Sequence, residues 1–266
     1  MTPTLTITGS NTGLNDPHGI ARDGTGNLYV ANMATSTITV YAPGLSGNVA
    51  PIRTIAGNNT GLSAPQGIAL DAAGNLYVSN LFGGSLGNIL VFAAGASGNV
   101  APKATIAGTS TGLWFPTGIA LDAAGRIYVA NEDNNSGYTE SITVYAPGAS
   151  GNATPTATIA GNFNAGTSYP QGVALDAAGR LYVAGSGNIT VYTADATGAF
   201  TATATISGSS TGLSPTGVAL DPAGRLYAAN GASITVYAPG ATGNAAPIIA
   251  IAGSNTGLTG ATYLTF

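Results

Sequence analysis

The sequence predicts an all-β protein, a β-propeller with five complete four-stranded repeats and a partial sixth, arranged as a five- or six-bladed ring. Three observations predict it. One phrase recurs along the whole chain of 266 residues, 40 glycines cut the chain into short segments, and helical periodicity is absent. Glycine is the residue for tight turns that need positive φ, so this many of them implies many short strands. The chain reads as one domain, residues 1–266, which is within the range of a single large all-β domain.

The recurring phrase runs from Pro65 to Asn80, PQGIALDAAGNLYVSN, with cognates beginning at Pro17, Pro116, Pro170 and Pro215. A degraded sixth start stands at Ala261, so the repeats are spaced by 48, 51, 54, 45 and 46 residues. In the second repeat the first strand is predicted over Gly67 to Leu70. Asp71-Ala72-Ala73-Gly74 follows as a type I turn, Asp at its first position and Gly at its last. A second strand is expected over Leu76 to Ser79 and a third over Ile89 to Phe92. A Gly-rich loop, Ala94 to Gly98, precedes a fourth strand over Ala104 to Ala107. The loop Gly108 to Leu113 leads to the next repeat. Length varies mainly between the second and third strands.

A unit of this length with four antiparallel strands is a propeller blade. A β-solenoid is the competing repeat fold, but its repeats are shorter and lack the hairpin punctuation. The first strand lies innermost, where blades crowd. Gly67 and Ala69 suit that crowding, and Ile68 and Leu70 are the candidates for the core between blades.

The phrase P-x-G-[IV]-A-x-D-x-x-G-x-[LI]-Y-[VA], in five copies over nearly the whole chain, resembles the NHL-repeat family of β-propellers. The resemblance implies the fold. It implies little about activity, because function lives in sites grafted onto folds.

The chain ends do not match. Leu5 to Gly9 copies a fourth strand, Ile248 to Gly253 is another, and Ala261 to Phe266 resembles a first strand. In a five-bladed ring residues 5–9 would complete the last blade and residues 247–266 would be surplus. In a six-bladed ring the last blade would hold only its first and fourth strands. Either arrangement leaves a strand edge that tends to recruit another chain, so the expectations are a homo-oligomer through the terminal strands or a chain that is a segment of a longer array.

Composition removes several function classes. Net charge is −4 and only 6 % of residues are charged, with six Lys and Arg and no two adjacent. Nucleic-acid binding requires a basic patch, which is missing. No apolar run approaches the length of a membrane span. Cysteine is absent, which removes disulfides and thiolate metal sites. The opening stretch MTPTLTITGS has neither a basic nor an apolar region, so no signal peptide is read there.

The candidate sites divide by register. The residue after each repeat Pro varies inside a fixed frame: His18, Gln66, Thr117, Gln171 and Thr216. This position sits near one mouth of a propeller channel, so these five are the candidate ligand-binding residues. The repeat acids Asp23, Asp71, Asp122, Asp176 and Asp221 read as turn caps rather than a ring of metal ligands, because a Gly always stands three residues on. Asn32, Asn80, Asn131 and Asn230 end the second strands and read as caps of the turn that follows.

The insertion Asn131 to Ser141 contains Asp133-x-Asn135-x-Gly137, a spacing of oxygen ligands and Gly used in calcium loops. It reads first as a solvated loop, with calcium at Asp133 and Asn135 as the alternative and no other cofactor implied. His18 lies in a Pro-His-Gly-Ile-Ala stretch resembling NHL-like lyases that surround a metal with several histidines. It is the one histidine here, so a multi-histidine site cannot form. A serine triad lacks its base for the same reason. The non-repeated aromatics Phe82, Trp114, Phe115, Tyr138, Phe163 and Tyr169 are read as covers for blade ends, with stacking on sugar rings as the alternative.

These readings predict a non-enzymatic binding or scaffold propeller, extracellular or on a bacterial surface, meeting a protein or glycan at the channel mouth. Self-assembly through the terminal strands is the second expectation. A metal-dependent lyase or lactonase, by analogy of fold, is the third.

Overall fold

The computed structural model describes residues 2–84, 86–132, 140–160, 170–194 and 198–266. Among the described residues twenty strands form five four-stranded antiparallel sheets, each in sequence order, and these are the blades of a propeller. Blade 1 holds β1 (Pro17–Arg22), β2 (Leu28–Asn32), β3 (Thr37–Tyr41) and β4 (Arg53–Ile55). Blade 2 holds β5 (Pro65–Leu70), β6 (Leu76–Asn80), β7 (Asn88–Phe92) and β8 (Ala104–Ile106). Blade 3 holds β9 (Pro116–Leu121), β10 (Ile127–Asn131), β11 (Ser141–Tyr145) and β12 (Ala157–Ala160). Blade 4 holds β13 (Val173–Leu175), β14 (Leu181–Gly185), β15 (Asn188–Ala194) and β16 (Phe200–Ser207). Blade 5 holds β17 (Gly217–Leu220), β18 (Leu226–Ala229), β19 (Ser233–Tyr237) and β20 (Ile249–Ala252).

The turn between first and second strands shows why the repeat keeps its Asp and its Gly. In blade 2 the Asp71 carboxylate accepts from the backbone N–H of Ala73 (2.9 Å) and of Asn75 (2.8 Å). Gly74 then takes φ +79°, a left-handed value that glycine adopts without a Cβ clash. Blades 3, 4 and 5 add an arginine four residues on, whose Nε lies 2.6 Å from the Asp122, Asp176 and Asp221 carboxylates. The turn-cap reading of these acids is therefore what the geometry shows.

Packing joins blades by alternating faces. The leading face of blade 1, with Tyr29, Ile38, Val40 and Ile55, meets the trailing face of blade 2, with Ile68, Leu76, Val78 and Phe92. The same pairing recurs from blade 2 to 3, 3 to 4 and 4 to 5. Ile38, Ile89, Ile142 and Ile189 are 0 % exposed in these layers. Burying such a side chain contributes about 1.5–3 kcal/mol. At the inner strands the packing is tightest: a Cβ on Gly67 would stand 2.4 Å from the Thr117 carbonyl oxygen. Ile68 is buried as expected, whereas Leu70 is only half-buried.

A second staple runs along the outer rim. The Oδ1 of Asn99 accepts from Asn59 N–H of the preceding blade at 2.8 Å, and Asn152 and Asn244 repeat the bond with Ser110 and Ser210. Beside it the fourth strand of one blade bridges the Gly-rich loop of the next in parallel, as at Ile55 and Gly98 or Ile106 and Gly151.

The ends follow the same two rules. Ile7 bridges Gly47 and the Asn48 side chain accepts from Asn11 N–H, so residues 5–11 sit where a fourth strand before blade 1 would sit. Thr262 lies against Gly217 as Thr117 lies against Gly67. Five complete blades therefore stand as expected, but a sixth sheet does not form. Among the described residues, Ala261 makes one bridge, to Gly231, and 262–266 join no strand.

Candidate functional site

The glycine after each variable residue lets neighbouring inner strands close up, and this brings the variable residues together. His18, Gln66, Thr117, Gln171 and Thr216 all line one cavity of about 360 Å³ at the channel mouth. Met33, Leu81, Glu132, Thr262 and Tyr263 complete it. The five candidates are thus gathered at one place, each from a different blade.

They do not play one role. Thr117 and Thr216 turn their hydroxyls into the ring. Thr117 Oγ1 lies 3.2 Å from the Pro170 carbonyl and 3.3 Å from that of Gln171, and Thr216 Oγ1 lies 3.1 Å from the Ala261 carbonyl. These two clamp one blade to the next inner segment. Gln66 is 7 % exposed, and its Nε2 lies 3.1 Å from the Met33 sulfur, a weak acceptor. Gln171 hydrogen-bonds Glu132 through its side chain. His18 Nε2 stands 3.5 Å from Asp16 Oδ1, a loose pair at the edge of the cavity.

Glu132 is the carboxylate of this site. Burial pushes its pKa up, the nearby Glu140 charge pushes it further in the same direction, and the Gln171 hydrogen bond partly opposes both. A partly buried acid with a raised pKa in a concave site is a mark of function. Its backbone N–H bonds the Phe115 carbonyl (3.3 Å), which ties the cavity to an aromatic cluster. Phe115 meets Trp114 and Phe82 edge to face, with ring centroids 5.3 and 6.2 Å apart. Phe82 is 53 % exposed, so the cluster offers an apolar ring face to solvent beside the mouth. Sequence reasoning missed Met33, Leu81 and Glu132 as site residues. Their common signal was available: each directly follows the Asn that ends a second strand.

That Asn does something different from the expected turn cap. Asn32, Asn80, Asn131 and Asn230 accept from the backbone of Asn15, Ser63, Trp114 and Ser214, in the loop entering the first strand. Their Nδ2 groups reach third-strand side chains such as Thr39 and Thr143. They fasten the mouth loops and are spent as ligand groups. Asp133 and Asn135, the calcium candidates, lie outside the described residues, as do Tyr138, Phe163 and Tyr169. Among the described residues no three His, Asp or Glu side chains gather as a metal site, and no helix is long and apolar enough to cross a membrane.

Comparison with known proteins agrees with this architecture. The NHL repeat family model matches residues 113–136. No curated protein matches the chain. Among solved structures, the PQQ-bound aldose sugar dehydrogenase of Streptomyces coelicolor aligns at 20 % identity and TM-score 0.64, covering 100 % of this chain and 90 % of that one. A gluconolactonase of Xanthomonas campestris aligns at 16 % identity and TM-score 0.59, covering 86 % and 74 %. The WD40 propeller domain of Doa1 aligns at 12 % identity and TM-score 0.61, covering 93 % and 71 %. Enzymes and non-enzymes stand side by side at these identities, and the shared property is the fold.

Proposed function

We propose that this NHL-repeat-like β-propeller is a non-catalytic binding module whose channel mouth takes a neutral sugar unit, free or carried on a glycan or glycoprotein. The observation that carries the reading is the convergence of Gln66, Gln171, His18 and Glu132 on one cavity beside the Phe82–Phe115–Trp114 cluster. Amides and one carboxylate meet hydroxyl groups in both hydrogen-bond directions, and an exposed aromatic face suits the C–H face of a pyranose. The cavity lies near the lower end of the roughly 300–1,000 Å³ common for small-ligand sites, which fits one sugar ring rather than an oligosaccharide.

Thr262 and Tyr263 belong to the same mouth, the Thr262 carbonyl lying against Gly217. Low charge and the absence of cysteine suit an extracellular setting, which surface labelling of the producing cell would check.

A neutral glycan array followed by calorimetry tests the reading. Wild type is expected to bind a monosaccharide-terminated ligand, and Gln171→Ala to weaken it about tenfold, the loss of one hydrogen bond of about 1.4 kcal/mol. Turnover of sugar lactones, rather than simple binding, would overturn the non-catalytic reading.

A further inference from the structure

The mouth cavity divides by chemistry. Blades 3 and 4 supply Glu132 and Gln171, which hydrogen-bond each other. Blades 1 and 2 supply Met33, Gln66 and Leu81, one amide and two apolar side chains. The amide is the unusual member. Gln66 is 7 % exposed, yet its Nε2 donates at 3.1 Å to the Met33 sulfur, and a thioether is a weak acceptor. A polar group so far withdrawn from water gains from a better partner.

Strained backbone holds this lining. Asp16, Ala64 and Phe115 each precede a repeat Pro, where extended backbone is favoured, but take φ of +51°, +50° and +42°. Their carbonyls accept the backbone N–H of Met33 (3.0 Å), Leu81 (3.1 Å) and Glu132 (3.3 Å), three residues of the cavity wall. Ser214, the equivalent before Pro215, is outside the left-handed region, and Gly231, which follows Asn230, does not line the cavity.

The apolar wall is also braced across two blades. Ser36, itself at φ +52°, donates its N–H to the Met33 carbonyl at 3.3 Å. Its Oγ accepts from the Ala64 N–H at 3.1 Å. One run of hydrogen bonds therefore links Met33, Ser36, Ala64 and Leu81. Strain of this kind persists where the surroundings over-determine it, and it clusters at ligand sites.

Resting on the sugar-binding reading of this mouth, we infer that its blade 1–2 half is an acetamido subsite, which makes the ligand class N-acetylated amino sugars. The Gln66 Nε2 donates to the acetyl carbonyl oxygen, exchanging a sulfur acceptor for an oxygen. The acetyl methyl lies on Met33 and Leu81 and leaves water there. The ring hydroxyls meet Gln171 and Glu132. A plain hexose would set a hydroxyl against the apolar wall, where it loses water without an equal partner. Acetylation also leaves the sugar nitrogen uncharged, so the apolar wall meets no ion.

The test titrates the full chain with glucose, galactose, their 2-acetamido-2-deoxy forms and their 6-deoxy forms, which carry a methyl but no carbonyl. At least one acetamido form is expected to bind about tenfold or more tightly than its parent, with no such gain for the 6-deoxy form. Gln66→Leu, close in size, should bring that ratio to within about twofold. Leu81→Asn, at a half-buried side chain, should cut it about threefold and keeps the test alive if the first variant does not fold. Gln171→Ala should weaken parent and acetamido form alike and leave the ratio. Hexose binding with a ratio near one, or an equal gain for a 6-deoxy form, would overturn the acetamido subsite while the neutral-sugar reading stands. No binding of any of the six sugars by folded protein, together with a blank neutral glycan array, would overturn both.

Discussion

A buried tyrosine hydroxyl in the blade register offers a reciprocal test of how the repeats are held. Tyr145 is 0 % exposed, and its hydroxyl donates to the Thr111 carbonyl at 2.7 Å, across from its own third strand to the loop before its blade. Tyr41 and Tyr237 make the same bond to Thr12 and Thr211, but blade 2 has Phe92 at this position and no hydroxyl to offer Thr60. Burial pushes the Tyr145 pKa up, against an opposing hydrogen bond with Thr143, to about 12, so the hydroxyl stays a donor over the working pH range. Tyr145→Phe keeps the ring and removes one bond, leaving a buried carbonyl unmet. The cost is about 1–2 kcal/mol. For a domain of this size that is a fall of about 4 °C in melting temperature. Phe92→Tyr should restore a bond of the same kind in blade 2 and raise the melting temperature by about half as much, some of the gain being offset by fitting an extra atom into a filled layer. Calorimetry on both variants and the double variant reads this out. An unchanged melting temperature in Tyr145→Phe, with m-value unaltered, would refute the claim that these hydroxyls hold loop to blade.

Other perturbations follow from the same geometry. Gly67→Ala places a Cβ against the Thr117 carbonyl and should destabilise by about 3 kcal/mol or more, whereas Gly24→Ala, with nothing within 4 Å, should shift melting by less than a degree; equal effects would contradict the crowded inner ring. Acid should loosen the turns in a defined window. Burial raises the Asp23 pKa, but hydrogen bonds from Asn27 and Thr25 outweigh it and hold the group at about 2, below its ordinary 3.8, and Asp71 and Asp122 are lowered in the same sense. A depressed carboxylate adds stability above its unfolded pKa and loses it as pH falls, so melting temperature should drop between about pH 4 and pH 2; a flat profile there would refute the turn account. Deleting residues 1–9 removes the ladder bonds between Thr6, Thr8 and Gly47 and should cost about 2 kcal/mol, at about 1 kcal/mol each, measured by urea unfolding; an unchanged midpoint would show that the segment does not complete the rim.

Much of the fold was legible because each repeat states it redundantly. Gly67, Asp71, Gly74, Leu76 and Val78 carry local turn chemistry and strand alternation that agree, and β5 to β8 fall within two residues of their expected bounds. The mouth was legible in part. A variable residue in a fixed frame marked His18, Gln66, Thr117, Gln171 and Thr216 correctly as neighbours. Nothing in their identities told that the threonines would be consumed as blade clamps while the glutamines face the cavity. That depends on whether a side chain reaches the neighbouring carbonyl, a distance set between blades. Glu132 was read only as part of the insertion Asn131 to Ser141, and nothing in that stretch told that its first acid lines the cavity. The Asn ring was misplaced by one loop, because a strand-end Asn can fasten the turn after it or the chain segment beside it, and sequence proximity favours the wrong choice.

The central claim is that the mouth binds a neutral sugar through Gln66, Gln171 and Glu132, and its most direct test is calorimetric titration of the array-selected saccharide across pH, on wild type and Glu132→Gln. Because the Glu132 pKa is raised above that of an ordinary glutamate, wild-type affinity is expected to fall as the pH is lowered and the carboxylate is protonated, while Glu132→Gln binds more weakly and without that pH dependence. Binding that is independent of pH, and equal in the two proteins, would contradict the account and place the ligand elsewhere on the propeller.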